Sequence, residues 1–321
     1  LAGKMVVRPG SGPKVVVTVT AHGGDAATAA LLALREVRDE RSGQPTLRVQ
    51  YPLDEHKVFR YHGGREEDTG FFARLFSGTS QVTYDGRRVS VSSSRGLPLY
   101  ADVVVEIPRG AAGTFKNLVG DLQGSSVEGT LRFDSGSGAI ALTKVSGDVT
   151  ADSGSGDVTA SDVRGAFKCD TGSGDCQLTG FDGDRLSLDT GSGDVSVRNA
   201  RAKLVKANTG SGSVSLDVDD GEEVSADTGS GDVSMELGGN RLVRVSADTG
   251  SGEVSVRLPA SMGFDLRADV GSGDVTSGFD DATPITERRC VVGYRRGDQQ
   301  VKIKVDTGGN MAAPLLAQAL G

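Results

Sequence analysis

A string of the form Asp-(Ser/Thr)-Gly-Ser-Gly-Asp-Val-(Ser/Thr) recurs along this chain, and the recurrence limits what the chain can fold into. Copies begin at Asp134, Asp152, Asp170, Asp189, Asn208, Asp227, Asp248 and Asp269, with successive spacings of 18, 18, 19, 19, 19, 21 and 21 residues. A fainter copy precedes them at Gly120-Asp121-Leu122. A truncated copy, Asp306-Thr307-Gly308-Gly309, follows 37 residues after Asp269. That gap is about two periods, so one copy there is expected to have lost its motif.

The flanks of each copy alternate. Three residues before the first Asp stand Leu131, Val149, Phe167, Leu186, Val205, Val224, Val245 and Leu266. One residue before it stand Phe133, Ala151, Cys169, Leu188, Ala207, Ala226, Ala247 and Ala268. Six residues after it stand Ile140, Val158, Cys176, Val195, Val214, Val233, Val254 and Val275, and two further on Leu142, Ala160, Leu178, Val197, Leu216, Met235, Val256 and Ser277. The intervening residues are mostly polar. This is period-two patterning on both sides of a glycine bend, so each copy reads as strand, bend, strand. A helix is excluded, since two interior glycines per copy would cost it about 2 kcal/mol against alanine.

A constant period of this length is one coil of a solenoid, in which like positions stack on like. The fold class expected is all-β: a parallel β-helix or β-solenoid of 18–21-residue coils, with a β-rich N-terminal cap containing one helix. The expected structural turns are Gly136 and Gly138, Gly154 and Gly156, Gly172 and Gly174, Gly191 and Gly193, Gly210 and Gly212, Gly229 and Gly231, Gly250 and Gly252, and Gly271 and Gly273. Glycine would there supply a left-handed backbone that a β-branched residue resists. The repeated Asp and Ser/Thr are expected to form outward ladders whose side chains bond the free N–H groups of the turns. Calcium between stacked carboxylates is the one ion weighed, and no cofactor is expected. No catalytic residue stands out, because an active site is a unique constellation and these carboxylates come in copies. A phosphate loop is excluded too: a strand, not a helix, follows every Gly-Ser-Gly-Asp.

Three divisions are expected: a cap and solenoid start over residues 1–115, the repeats over 116–310 and an apolar tail over 311–321. In the first, strands are read at Val15–Thr20, Thr46–Tyr51, Lys57–Tyr61, Gln81–Tyr84, Arg87–Ser92 and Ala101–Ile107, with a tight hairpin at Asp85-Gly86. Asp25 is expected to cap a helix from Ala26 to about Arg41. His22, His56 and His62 show no metal-ligand spacing and read as isolated histidines. Phe71, Phe72 and Phe76 form a cluster that packs on the cap or contacts a partner. Leu315, Leu316 and Leu320 of the tail cover the last coil or dock on a neighbouring molecule. Cys169 and Cys176 flank one bend; two buried thiols and a disulfide both fit there. Cys290 is expected to be buried in the coil that lost its motif.

Aromatic residues are 5% of the chain and tryptophan is absent, which argues against a stacking surface for sugars or single-stranded nucleic acid. A net charge of -8 argues against nucleic acid and anionic lipid. No apolar run approaches the roughly 18 residues of a membrane helix. A leader removed before Leu1 is expected.

The run Ala101-Asp102-Val103-Val104-Val105-Glu106-Ile107-Pro108-Arg109-Gly110, followed by the Gly-Ser-Gly-Asp-Val repeats, resembles the bacterial "putative adhesin" β-strand-repeat family. The resemblance covers residues 14–310. It implies a parallel β-helix on the cell envelope or in secreted proteins, and it offers no catalytic residues to carry over. The function expected is that of a non-catalytic extracellular or cell-surface structural, adhesin-like solenoid. Its partners are other copies of itself, joined head to tail into filaments, or a cell-surface component. The alternative is a β-helix that binds or processes polysaccharide, which calls for an aromatic groove and a non-repeated carboxylate pair.

Overall fold

The computed structural model describes residues 1–38, 43–61, 78–271, 274–288, 290–298 and 300–308. His62, the cluster of Phe71, Phe72 and Phe76, Gly273, and the tail with Leu315, Leu316 and Leu320 lie outside the described residues. The chain is an all-β parallel solenoid, with one short helix among the described residues, Ala26–Ala29. By contacts it divides into two compact units, Leu1–Leu142 with Asp152–Gly156, and Thr143–Ala151 with Asp157 onward.

In the first unit the strands are β1 (Met5–Pro9), β2 (Val16–Gly23), β3 (Ala33–Arg38), β4 (Pro45–Gln50), β5 (Val58–Arg60), β6 (Thr79–Tyr84), β7 (Arg87–Ser92), β8 (Leu97–Ile107), β9 (Ala111–Asn117), β10 (Leu122–Ser125) and β11 (Glu128–Ser135). The N-terminal strand β1 lies between β8 and β10, parallel to both, with Met5 level with Val103 on one side and Leu122 on the other. On its other edge β8 pairs antiparallel with β2. Strand β9 starts the stack of coils by pairing in parallel with β11. Asp85 and Gly86 both take positive φ, 52° and 71°, which is the type I′ geometry that matches strand twist between β6 and β7. Around Tyr51, Leu53, Phe59, Val89 and Leu99 an apolar core forms, with the Tyr51 and Phe59 rings edge to face at 5.1 Å.

The helix is shorter than the sequence suggests. Asp25 Oδ1 accepts from the Thr28 N–H at 2.7 Å, as an N-cap should, but the helix ends after Ala29. Ala33–Arg38 is instead strand β3, antiparallel to β4 with Leu34 opposite Val49. Tertiary pairing overrides helix propensity here. Leu31 and Leu34, which fall within the expected helix, are exposed.

β12 (Ile140–Thr143) and β13 (Ser146–Ser153) follow in the chain. The second unit holds β14 (Val158–Thr171), β15 (Cys176–Thr190), β16 (Val195–Thr209), β17 (Val214–Thr228), β18 (Val233–Leu237), β19 (Arg244–Thr249), β20 (Val254–Arg257), β21 (Phe264–Val270), β22 (Thr283–Glu287), β23 (Cys290–Arg296) and β24 (Val301–Thr307). From β14 to β17 each coil is one long strand, paired in parallel so that Val195 sits on Cys176 and Val214 on Val195. The four apolar columns read from the sequence are buried, except that Ala268 and Ser277 at their end are partly exposed.

One expectation about the coils fails. Asp306 does not lie two coils beyond Asp269. Strand β24 inserts between β19 and β21, parallel to both, with Asp306 level with Asp248 on one side and Asp269 on the other. No coil is missing. Instead β22 and β23 form an antiparallel hairpin that pairs along the other edge of β21, and the chain then returns to fill the gap. Cys290 sits on that hairpin and is exposed, not buried.

Candidate functional site

The repeated residues meet at the glycine corner, and their roles differ from those read in the sequence. The Ser/Thr after the first Asp points inward, in phase with the apolar columns: Ser135, Ser153, Thr171, Thr190, Thr209, Thr228, Thr249 and Thr307 are all buried. At Ser153, Thr190, Thr209, Thr228 and Thr249 the hydroxyl serves two groups. Thr209 Oγ1 accepts from the Gly212 N–H at 3.1 Å and donates to the Gly193 carbonyl of the coil before at 2.8 Å. Thr190, Thr228 and Thr249 repeat the pattern. Thr307 of the inserted strand donates to Gly252 in the same way, at 2.8 Å. A hydroxyl that both donates and accepts can satisfy two buried backbone groups at once, which suits Ser and Thr to this column; only at its ends do Asn117, level with Ser135, and Val270, level with Thr307, take the place.

The second Asp of the motif lies outside and ties neighbouring coils together. The Asp194 N–H donates to Asp175 Oδ1 at 2.9 Å, Ser213 N–H to Asp194 Oδ1 at 2.8 Å, and Glu253 N–H to Asp232 Oδ1 at 2.8 Å. These carboxylates act on backbone donors, as expected of turn aspartates, but across coils instead of within one turn. Among the described residues no group of three or more His, Cys, Asp or Glu is arranged to hold a metal ion.

The corner glycines do not take the left-handed conformation expected of them. None of the described ones has positive φ. Their requirement is space. A Cβ on Gly193 would lie under 3.0 Å from the Gly174 carbonyl oxygen, and one on Gly212 equally close to that of Gly193. Gly154, Gly156, Gly191, Gly210, Gly229, Gly231, Gly250 and Gly252 face the same obstacle. Left-handed residues sit elsewhere: Ser126 and Lys144 lie just after β10 and β12, and Asp162, Gly180 and Asn199 lie within β14, β15 and β16, with φ of 56°, 55°, 53°, 75° and 54°. They recur once per coil from Ser126 to Asn199, and Ser, Asp, Gly and Asn are types that tolerate or favour that region. Cys169 and Cys176, both buried, are joined by a disulfide across one corner.

On the outside the coils carry rows of side chains. Ser196, Ser215, Ser234 and Ser255 stand level with one another. Asp227, Asp248, Asp306 and Asp269 form another row. Partial burial, with the Asp306 and Asp227 carboxylates on either side, pushes the Asp248 carboxyl above its ordinary range. A third row alternates in sign: Arg164, Asp182, Arg201 and Asp220 are level in turn, and Arg241 closes on Asp220 through two bonds of 3.0 and 2.8 Å. It borders an open trough of about 510 Å³, where Lys203 also pairs with Asp184 at 2.7 Å and holds that carboxyl below its usual range. Asp265 on β21 faces three cations, Lys302 at 3.2 Å, Arg295 at 3.5 Å and Arg267 at 3.6 Å. Burial alone would raise its pKa, but the three cations outweigh that and lower it.

Sequence reading missed one polar cluster in the first unit. His22 Nε2 lies 2.8 Å from Asp102 Oδ2, its ring stacks on Tyr100 at 4.5 Å, and Asp102 Oδ1 accepts from the Lys4 N–H at 2.9 Å. The cluster fastens β1 and β2 to the two edges of β8. The signal was faint: a single His and a single Asp far apart in the chain.

Residues 100–309 match the Toastrack DUF4097 family. The chain belongs to this family. The match covers more than half of the sequence, and the Toastrack region takes in most of β8 and every coil of the repeat. A solved structure described as a putative cell adhesion protein from Clostridium sporogenes is similar at 11% identity over 98% of this chain and 88% of that chain, with a TM-score of 0.19. No curated protein matches the sequence.

Proposed function

We propose that the protein is a non-catalytic, adhesin-like solenoid that works at a cell surface or outside the cell, holding a repetitive partner through many weak contacts. The in-register rows carry this reading. The serine row and the aspartate row each present the same chemistry at a spacing of about 4.8 Å, the distance between paired strands. Equally spaced weak contacts add as multivalency, so a partner that is itself repetitive, such as an envelope polymer or another copy of this chain, gains most from them. The disulfide between Cys169 and Cys176 supports an oxidising compartment. Against catalysis stands the redundancy of the rows. Chemistry needs one carboxylate pair set apart from its neighbours, whereas these acids repeat from coil to coil.

The test uses beads coated with the protein and washed over intact bacterial cells and over immobilised cell-wall polysaccharide. Retention should fall in steps as Asp227, Asp248 and Asp306 are changed to Asn singly and then together. Retention equal to that of uncoated beads would sink the proposal. So would release of polysaccharide fragments that stops when one carboxylate is changed.

A further inference from the structure

Every stack of strands has ends, and an end exposes backbone donors and acceptors that invite another strand. The ends of this chain are treated unequally. In the second unit the outermost described strand, β22, carries Pro284, which lacks an N–H, and Glu287. In the hairpin of β3 and β4, one edge has Arg35, Glu36 and Arg38 and the other begins at Pro45. These are the usual means of blunting an edge.

Strand β2 has none of them. From Val15 to Gly24 the chain reads Val-Val-Val-Thr-Val-Thr-Ala-His-Gly-Gly, without a proline or a charged side chain. From Val15 to Thr20 it is made of β-branched residues, which favour strands. One edge pairs with β8 over eight residues, Val16 to Gly23. Among the described residues no strand pairs with the other edge. Val15 and Val16 are 54% and 50% exposed, and Thr18 and Thr20 are exposed as well.

We propose that this edge is an interface, and that its occupant is β2 of a second copy of the chain, running antiparallel. Charge favours that partner. Lys14 lies just before the strand and Asp25 just after it, both exposed. When two β2 strands pair antiparallel about a two-fold axis at Val19 or Thr20, Lys14 of each copy falls within one residue of Asp25 of the other. Both ends of the joint then carry opposite charges. A parallel pairing would set like against like. About the axis at Val19, Thr18 lies opposite Thr20 and Val17 opposite Ala21, so hydroxyl meets hydroxyl and apolar meets apolar. The contact is isologous, so it closes as a dimer and does not propagate. It differs in that respect from a head-to-tail joint, and it stands apart from the adhesive reading: either can fail without the other.

The experiment is the mass of the full chain by light scattering after size exclusion, followed over a concentration series. The wild type is expected to reach twice the chain mass. Thr18→Lys with Thr20→Lys, both outward positions, should halve it while leaving the melting temperature unchanged. A second measurement covers the case in which that variant fails to fold. In a Cys290→Ser background, Thr18→Cys with Thr20→Cys should give a disulfide-linked dimer on oxidation, since position 20 faces position 18 of the partner about the Val19 axis and position 20 about the Thr20 axis, and Thr159→Cys, on an outward position of the coils, should not. A wild type that stays at chain mass throughout, a dimer that persists in the folded double-lysine variant, or oligomers that grow without limit would each overturn the proposal. Loss of bead retention with the dimer intact would count against the adhesive reading alone.

Discussion

At the corner, one hydroxyl stands between two buried backbone groups, and its removal leaves both without a partner. Thr209→Val keeps the shape and loses the hydroxyl, so the Gly212 N–H and the Gly193 carbonyl are stranded. A cost of about 1–3 kcal/mol is expected. Thr209→Ser should be nearly neutral, since Ser135 and Ser153 hold the same position in other copies. Urea denaturation of the two variants checks this, and equal losses would contradict the hydroxyl role. Glycine at the corner makes a different demand. Were the need a left-handed backbone, Asn would substitute tolerably at Gly193. Because the need is space against a carbonyl, Gly193→Asn should be as damaging as Gly193→Ala, about 1–3 kcal/mol each. Asp248 gives a pH signature. Its raised value means that folding favours the protonated acid, a contribution present below the ordinary carboxylate pKa of about 3.9 and lost as pH rises through the folded-state value. Asp248→Asn should therefore raise the melting temperature at pH 7 and leave it unchanged at pH 3. At this scale the sequence was half legible. Alternation located the buried columns, and the same parity put Thr190 in phase with Leu188, yet polarity suggested an outward side chain. The close approach of glycine to the coil beneath leaves no local mark at all.

Elements reveal what periodicity conceals. The gap between Asp269 and Asp306 is close to two periods, so it imitates a lost coil. In the fold it is a hairpin followed by a strand that turns back into the stack. Sequence distance cannot separate those two cases, because both satisfy the same count. Strand β1 repeats the device at the other end of the chain, slotting between β8 and β10. Residues 33–38 show a different limit: Ala, Leu, Arg and Glu favour a helix, and only pairing with β4 makes them a strand. Cross-linking distinguishes the order of strands. In a Cys290→Ser background, Ser246→Cys with Lys304→Cys should form a disulfide on oxidation, since those positions are level on adjacent strands. Ser246→Cys with Arg267→Cys should not, because β24 separates them by two strand spacings, about 9.6 Å. A bond in the second pair and none in the first would put β21 next to β19.

At the scale of the whole molecule, stability comes from nearest-neighbour contacts between coils, each built from the same parts. The buried hydroxyl, the external carboxylate and the bare glycine of one coil all engage the coil beside it, so the corner fixes register as well as shape. Register in turn makes the outward rows, and the rows are the basis of the proposed adhesion. The chain's place among repeat solenoids was legible because eight copies of one motif leave few alternatives. Its function was less so, since surface rows can serve any repetitive partner. The most direct test of the account is therefore the spacing of those rows in solution. Pairs of nitroxide labels would be placed in the Cys290→Ser background on Ser196 with Ser215, Ser196 with Ser234, and Ser196 with Ser255, and their separations read by electron paramagnetic resonance. Parallel, level stacking predicts a steady climb of about 4.8 Å per coil, to roughly 5, 10 and 14 Å. Separations that fail to rise with each coil, or that alternate between short and long as hairpins would require, would contradict it.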